Sequence, residues 1–370
     1  MEIKKIITIG ISGHIHTDQR MKRIAGSLSK NGASVFLYYR EHFKFKPVKT
    51  ADQLPFTTIG MRILVNKGIL FYAFLNWQLF WKLLFKKTDI YYAVDADTLP
   101  AFTMLSILKG KPLIYDAHEY FCEVPELQNS RLKKKVWDIV TRIGVKRASK
   151  CLTVGPMLAL ELEKRYHKAF AVVRNTTKIT EHLSTDRPLP FTLPDKPIIL
   201  YQGALNKGRE LELLIKAMPD LPEFHCLLAG EGDLSESLRD QAKSMDNVQF
   251  AGLLSPDTLK TLTPQCFAGY NLLDAEGSLS YYFSLSNKYF DYIHAGIPSI
   301  SSHLPEYEAL NDSNGCGVCI ENTKEVLIKT LKNWLADTEL YQKFRENTNI
   351  ARKVCQWETD EAALLALFRP

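Results

Sequence analysis

The sequence predicts an α/β protein of two doubly wound, Rossmann-like domains. Short β-branched runs alternate with helical patterns along almost the whole chain. The alternation stops once, at a polar stretch carrying Pro188, Pro190 and Pro194, and then resumes. The chain's 370 residues, 46% hydrophobic and 24% charged, suffice for two cores, because domains average about 100–200 residues. These observations set the expected boundaries: residues 1–175 as an N-terminal domain, 176–196 as a linker, 197–352 as a second domain and 353–370 as a closing helix.

In the first half, strands are expected at residues 6–11, 34–38, 90–94, 112–116 and 150–154, forming a parallel sheet. Lys4 and Lys5 lead straight into the first strand, whose apolar run is too brief for a secretory leader. The loop ISGHIHTDQR at residues 11–20 places Gly13 where backbone N–H groups can approach a phosphate or sugar. Asp18 reads as a helix N-cap, and Arg20 is expected to pair with Asp18 or with the opposite domain. The stretch at residues 69–85 is aromatic and apolar, but Asn76, Gln78 and Lys82 interrupt it short of the roughly 20 residues a spanning helix needs. Two readings stand: a core helix, or a peripheral helix with Trp77 and Trp81 on one face. In the second, Lys82, Lys86, Lys87, Arg131, Lys133, Lys134 and Lys135 form a basic rim toward an anionic membrane. Asp95 and Asp97 follow a strand end and are acceptor-side or capping candidates. Asp116-Ala117-His118-Glu119 sets a polar cluster at the end of another apolar strand, where a plain turn would otherwise be expected.

In the second half, strands are expected at residues 197–202, 223–229, 248–251 and 267–272. Gly203 ends the first of them and lets a ligand approach the backbone, with Lys207 and Arg209 supplying cations before the next helix. The segment SNKYFDYIHAGIP, from Ser286 to Pro298, is the most informative in the chain. A helix starting near Ser286 presents free N–H groups and the positive end of its dipole to an anionic diphosphate, with Asn287 beside them and Lys288 adding a full charge. Asp291, three residues further along the same face, can accept both hydroxyls of a ribose. Gly296 reads as a left-handed cap and Pro298 stops the helix.

Residues 1–175 hold 29 Lys and Arg against 14 Asp and Glu (+15), and residues 176–370 hold 18 against 27 (−9), which together give the net +6. A basic N-terminal half implies an anionic surface or acceptor; with no helix-turn-helix, zinc-finger or RNA-recognition pattern, nucleic acid is not the expected partner. Seven scattered cysteines point to a reducing cytoplasm, and Cys316 and Cys319 read as two buried thiols at a strand edge rather than as metal or redox chemistry.

The segment from Ser286 to Pro298 resembles the C-terminal signature of the family 4 glycosyltransferases, retaining enzymes of GT-B architecture, and the resemblance covers nearly the whole chain. It implies two Rossmann-like domains facing across a cleft, with the closing helix crossing back to the N-terminal domain. It implies donor contacts from Gly13, Gly203, Arg209, Leu254, Ser286, Asn287, Lys288 and Asp291, with Leu254 lining the base pocket through backbone groups. His118 would serve the donor sugar, His118, Arg209 and Lys288 would carry catalysis, and Asp95, Asp97 and Glu119 would lie on the acceptor side. The family's pair of glutamates separated by seven residues maps onto Phe283 and Asp291, so the first carboxylate is missing, and Glu276 replaces it only if its loop folds back. The function implied is transfer of a sugar from a UDP- or GDP-sugar to a lipid-linked surface glycan, in the cytoplasm and peripheral on the membrane, with no metal and no other cofactor. The alternatives are a catalytically silent glycosyltransferase-like binding subunit and a nucleotide-sugar 2-epimerase.

Overall fold

A computed structural model describes residues 2–15, 18–41, 54–63, 65, 68–178 and 188–368. The chain divides into two compact units. Unit 1 comprises Met1–Arg174, Ser278–Ser280 and Asp360–Pro370; unit 2 comprises Asn175–Gly277 and Tyr281–Thr359.

Unit 1 runs β1 (Ile6–Gly10), α1 (Gln19–Lys30), β2 (Ser34–Glu41), β3 (Thr57–Arg62), α2 (Gly68–Leu84), β4 (Ile90–Val94), α3 (Asp95–Lys109), β5 (Leu113–Ala117), α4 (Arg131–Arg147), β6 (Lys150–Thr153), α5 (Pro156–Tyr166) and β7 (Ala171–Val172). Its seven strands are all parallel in the order β3-β2-β1-β4-β5-β6-β7. The central strands β4 and β5 are buried along their whole length, as strands covered on both faces must be, and this explains their unbroken apolar runs. Strands β3 and β7 were not expected. β3 is a half-polar edge strand and β7 has two residues, so neither carries the hydrophobic signal of an inner strand.

Unit 2 runs β8 (Ile198–Gln202), α6 (Leu211–Ala217), β9 (His225–Ala229), α7 (Ser235–Gln241), β10 (Val248–Gly252), α8 (Pro256–Leu262), β11 (Ala268–Asn271), then, after the short α9 (Leu279–Tyr282) whose first two residues belong to unit 1, α10 (Asn287–Ala295), β12 (Ser299–Ser302), α11 (Pro305–Asn314), β13 (Gly317–Ile320), α12 (Lys324–Ala336) and α13 (Thr338–Ala351). A last helix, α14 (Trp357–Ala366), follows. The second sheet is also all parallel, in the order β10-β9-β8-β11-β12-β13. In both sheets β-to-α turns collect at the carboxyl ends of the strands, the side on which open α/β sheets bind ligands.

Part of the expected linker, residues 179–187, lies outside the described residues. The remainder differs from a free polar tether. Thr177 bridges to Gln356, and Leu189, Phe191 and Leu193 pack against the core around Ile198 and Leu200. The prolines that marked this stretch as irregular alternate with apolar residues that have a core to join. At the other end of the chain, the Asp360 carboxylate accepts from the Arg174 guanidinium at 3.1 Å and the Phe368 ring stacks on Tyr92 with centroids 6.3 Å apart. All seven cysteines are free thiols, and burial pushes those of Cys316 and Cys319 up to about 11, which leaves them protonated and unreactive.

Candidate functional site

Unit 2 gathers its candidates at the start of α10. Ser286 is the N-cap residue, but its hydroxyl does not cap: it donates to Asn271 Oδ1 at 2.9 Å, while the Tyr307 hydroxyl accepts from the Ser286 N–H at 3.0 Å. No side chain caps the first turn: the Tyr289 N–H donates to the Ser286 carbonyl at 3.2 Å, the amides of Asn287 and Lys288 are left to an outside acceptor, and the far end closes on Gly296 in the left-handed conformation. Lys288 sits in this first turn and is 8% exposed. Its ammonium lies 4.7 Å from the centre of the Tyr201 ring, and no carboxylate of the described residues pairs with it. Burial, with Arg209 nearby, holds the Lys288 pKa well below the usual lysine value.

Arg209 is placed comparably. Its guanidinium lies 5.0 Å from the centre of the Tyr281 ring and forms no ion pair among the described residues. Gly203 ends β8 with φ 137°, and a side chain at the adjacent turn's Gly230 would fall 1.8 Å from the Gly203 carbonyl, so the two strand-end turns interlock through glycine. A Cβ at Gly203 would reach 3.5 Å from the Lys288 side chain, which puts the strand end and the helix start side by side. Two cations without counter-ions, open helix amides and a glycine strand end together make an anion site.

Asp291, expected as the ribose acceptor, is engaged within the protein. Its two oxygens accept from Thr177 Oγ1 at 2.8 Å and Gln202 Nε2 at 2.9 Å, and Gln202 in turn accepts from Thr263 at 3.0 Å. The carboxylate thus ties α10 to β8 and to the chain entering unit 2. Asn287 is likewise engaged, accepting from the Asn175 side-chain amide. Leu254 packs its side chain against the core around Leu200 and Ile297. Glu276 stands exposed in a turn closed by its own N–H onto Asp274 Oδ1 at 2.9 Å, and Phe283 is half-buried.

Unit 1 gathers a second group at the ends of β4 and β5. Asp116 is fully buried; its Oδ1 accepts from Arg20 at 2.9 Å, and its Oδ2 accepts from the Tyr92 hydroxyl at 2.7 Å and faces His118 Nε2 at 3.1 Å. Arg20 also donates to the Val173 carbonyl at 2.7 Å, so it pairs with Asp116 rather than with Asp18, whose carboxylate instead caps α1. Burial alone would raise the Asp116 pKa, but Arg20 and His118 hold it far below the usual carboxylate range. The ring of His118 is 19% exposed and has Asp116 on one nitrogen and, at 3.8 Å, Asp95 near the other. Burial pushes its pKa down, yet the two carboxylates outweigh burial and raise it to about 9. The neighbouring carboxylates thus favour the protonated ring, which is a hydrogen-bond donor on both nitrogens.

Asp95 opens α3 with φ 53°, a left-handed conformation that costs a non-glycine residue roughly 1–3 kcal/mol. That geometry turns its carboxylate back to accept the His118 backbone N–H at 2.9 Å. Burial lifts Asp95 well above the usual carboxylate range and Asp97 to about 6. Glu119 is exposed after the same strand. Gly13 is exposed, has no positive φ, and a Cβ there would meet nothing within 4 Å, so the protein's own packing does not require glycine at this position. The sequence reading missed the Arg20–Asp116–Tyr92 array, because its members come from three strand and helix ends distant in sequence.

Residues 187–350 match the family described as Glycosyl transferases group 1. An uncharacterized glycosyltransferase of Methanocaldococcus jannaschii is 38% identical over 74 residues, 18% of this chain; the match spans only about a fifth of that relative, 19% of its length. Sucrose-phosphate synthase from Thermosynechococcus elongatus superposes with a TM-score of 0.78 at 15% identity, covering 99% of this chain and 98% of that one. Anabaena HepE, solved in complex with UDP and glucose, gives a TM-score of 0.76 at 15% identity, covering 98% of this chain and 99% of that one. Residues 187–350 thus carry the match to the Glycosyl transferases group 1 model, and the whole chain has the two-domain α/β fold of these solved structures.

Proposed function

We propose that the chain transfers a sugar from a UDP- or GDP-sugar, with retention of anomeric configuration, to a lipid-linked glycan at a membrane surface. The observation that carries this reading is the pair of cations without carboxylate partners, Lys288 and Arg209, at the open start of α10. Such cations fit a diphosphate, whose charge grows as the bond from the anomeric carbon to the phosphate oxygen breaks and the acceptor oxygen takes its place. In this reading the acceptor's proton passes to the departing phosphate, because Asp116 and Asp95 favour the protonated form of His118. His118 then serves as a hydrogen-bond donor to sugar or phosphate oxygens. The complex of HepE with UDP and glucose supports a nucleotide donor by analogy.

A second reading, a nucleotide-binding subunit without transfer activity, is favoured by Phe283 standing where the family carries a carboxylate. Calorimetry with UDP, GDP and UDP-glucose, followed by a donor hydrolysis assay, separates the two. Binding with turnover is the expected result, and binding without turnover for any UDP- or GDP-sugar would move the conclusion to the silent subunit. Absence of binding to every nucleotide would remove both.

A further inference from the structure

Helices that cover an α/β sheet ordinarily turn an apolar stripe inward and a polar face outward. Three consecutive helices of unit 1 do not. In α2, Phe71, Leu75, Leu79 and Leu83 are buried, yet Leu70, Phe74, Trp77, Trp81 and Phe85 form a second stripe on the solvent side, with Trp77 59% and Trp81 52% exposed. α4 carries an exposed stripe of its own, Leu132, Val136, Ile139 and Ile143, at the spacing of one helix face. Between them α3 exposes Met104, Ile107 and Leu108.

The three helices adjoin. Asn76 of α2 donates to the Asp97 carbonyl at 2.7 Å and accepts from the Ala101 N–H at 2.9 Å, both on α3. Tyr72 of α2 meets Trp137 of α4 edge to face, with centroids 4.8 Å apart. The stripes therefore merge into one apolar surface, of the kind that in soluble proteins marks an interaction site.

Charge decides the occupant. α2 has no acidic residue, and the one acid along the body of α4, Asp138, is taken by Arg165 at 2.8 Å and by Arg142. Exposed Lys82, Lys86 and Lys87 close the carboxyl end of α2, and exposed Arg131, Lys133 and Lys135 open α4. Each helix follows a strand of one parallel sheet, so these clusters lie at opposite ends of the surface. Beside Trp77 and Trp81, a groove of 530 Å³ against the edge strand β3 is lined by Arg62 and Lys82, with Gln78 and Glu41, the latter paired to Arg62 at 3.0 Å. A second copy of the chain fits poorly, because a two-fold pairing of this face would bring basic ends together in either orientation. No helix of the described residues is long and apolar enough to cross a membrane.

We propose that the α2–α3–α4 face of unit 1 is a docking surface for an anionic phospholipid bilayer, with the tryptophans at headgroup depth and the lysines on lipid phosphates. This deepens the membrane part of the reading above and is independent of whether transfer occurs. The test is co-sedimentation of the full chain with vesicles of phosphatidylcholine alone and of phosphatidylcholine with phosphatidylglycerol. Binding to the anionic vesicles is expected to be salt-sensitive and to fall at least tenfold in the double variant Trp77→Ser/Trp81→Ser, while UDP binding by calorimetry stays unchanged. The charge reversal Lys86→Glu/Lys87→Glu, at exposed positions, gives an independent reading with the same expected loss. Equal, negligible binding of the wild type to both vesicles overturns the proposal. So does a dimer in sedimentation equilibrium that the tryptophan variant dissociates, which would assign the face to a second copy.

Discussion

In unit 1, Arg20, Asp116 and His118 lie in a buried array in which each charge faces an opposite one, with Asp95 close to the far side of the His118 ring. In unit 2, Lys288 and Arg209 have aromatic rings beneath them and no carboxylate partner among the described residues. The two groups occupy equivalent places, at the carboxyl ends of parallel strands, but treat charge in opposite ways. The first is a closed network whose geometry is set before any ligand arrives. The second keeps an unanswered positive charge, whose cost is repaid only by an anion. Preorganisation and vacancy are thus divided between the two halves of the chain.

Removing one member of the closed network is the strongest test of this contrast. Asp116→Ala leaves a buried guanidinium without its counter-charge, and the expected loss of stability is about 3–5 kcal/mol. Urea unfolding measures it, and a loss below about 1 kcal/mol would show that Arg20 finds water or another partner. In unit 2 the corresponding change acts the other way. Lys288→Met is expected to leave stability unchanged or raised while UDP affinity falls roughly tenfold to a hundredfold, as loss of a charge-assisted contact of about 1.5–3 kcal/mol implies. A variant that melts several degrees earlier would mean that Lys288 already has a stabilising partner.

The smallest effect expected is a pH dependence confined to the first network. His118 has a folded pKa raised to about 9 against an ordinary value of 6.5, so its contribution is fully present below pH 6.5 and is lost as pH rises through about 9. The urea midpoint of the chain should decline across that window. In Asp116→Asn, which removes the main charge holding the proton, the decline should shrink. An unchanged slope in that variant would detach the titration from His118.

What the sequence made legible follows distance along the chain. The start of α10 at Ser286, its left-handed stop at Gly296 and the cap of α1 at Asp18 all rest on residues within one or two turns of each other, and each lies where the local signals placed it. The inner strands were legible because burial on both faces writes an unbroken apolar run. The contacts that give the candidate sites their character have no such local trace. Arg20 and Asp116 are 96 residues apart, and Asp291 finds Thr177 and Gln202 at separations of 114 and 89. α2 resisted assignment for another reason: a helix with apolar residues around most of its circumference has little periodicity to show which side is covered, and it carries one buried and one exposed apolar stripe.

The apolar face with basic ends also governs how the protein behaves in a tube that holds no lipid. At moderate ionic strength the +15 charge of residues 1–175 repels the same half of a second copy, which opposes pairing through the exposed indoles and aliphatic side chains. The range of that repulsion shrinks from about 8 Å at physiological salt to about 3 Å at 1 M. Under the proposed docking, added salt is expected to weaken attraction to an anionic bilayer and, on the same surface, to lower the charge barrier to self-association. Material that pellets at high salt without vesicles reports the second effect.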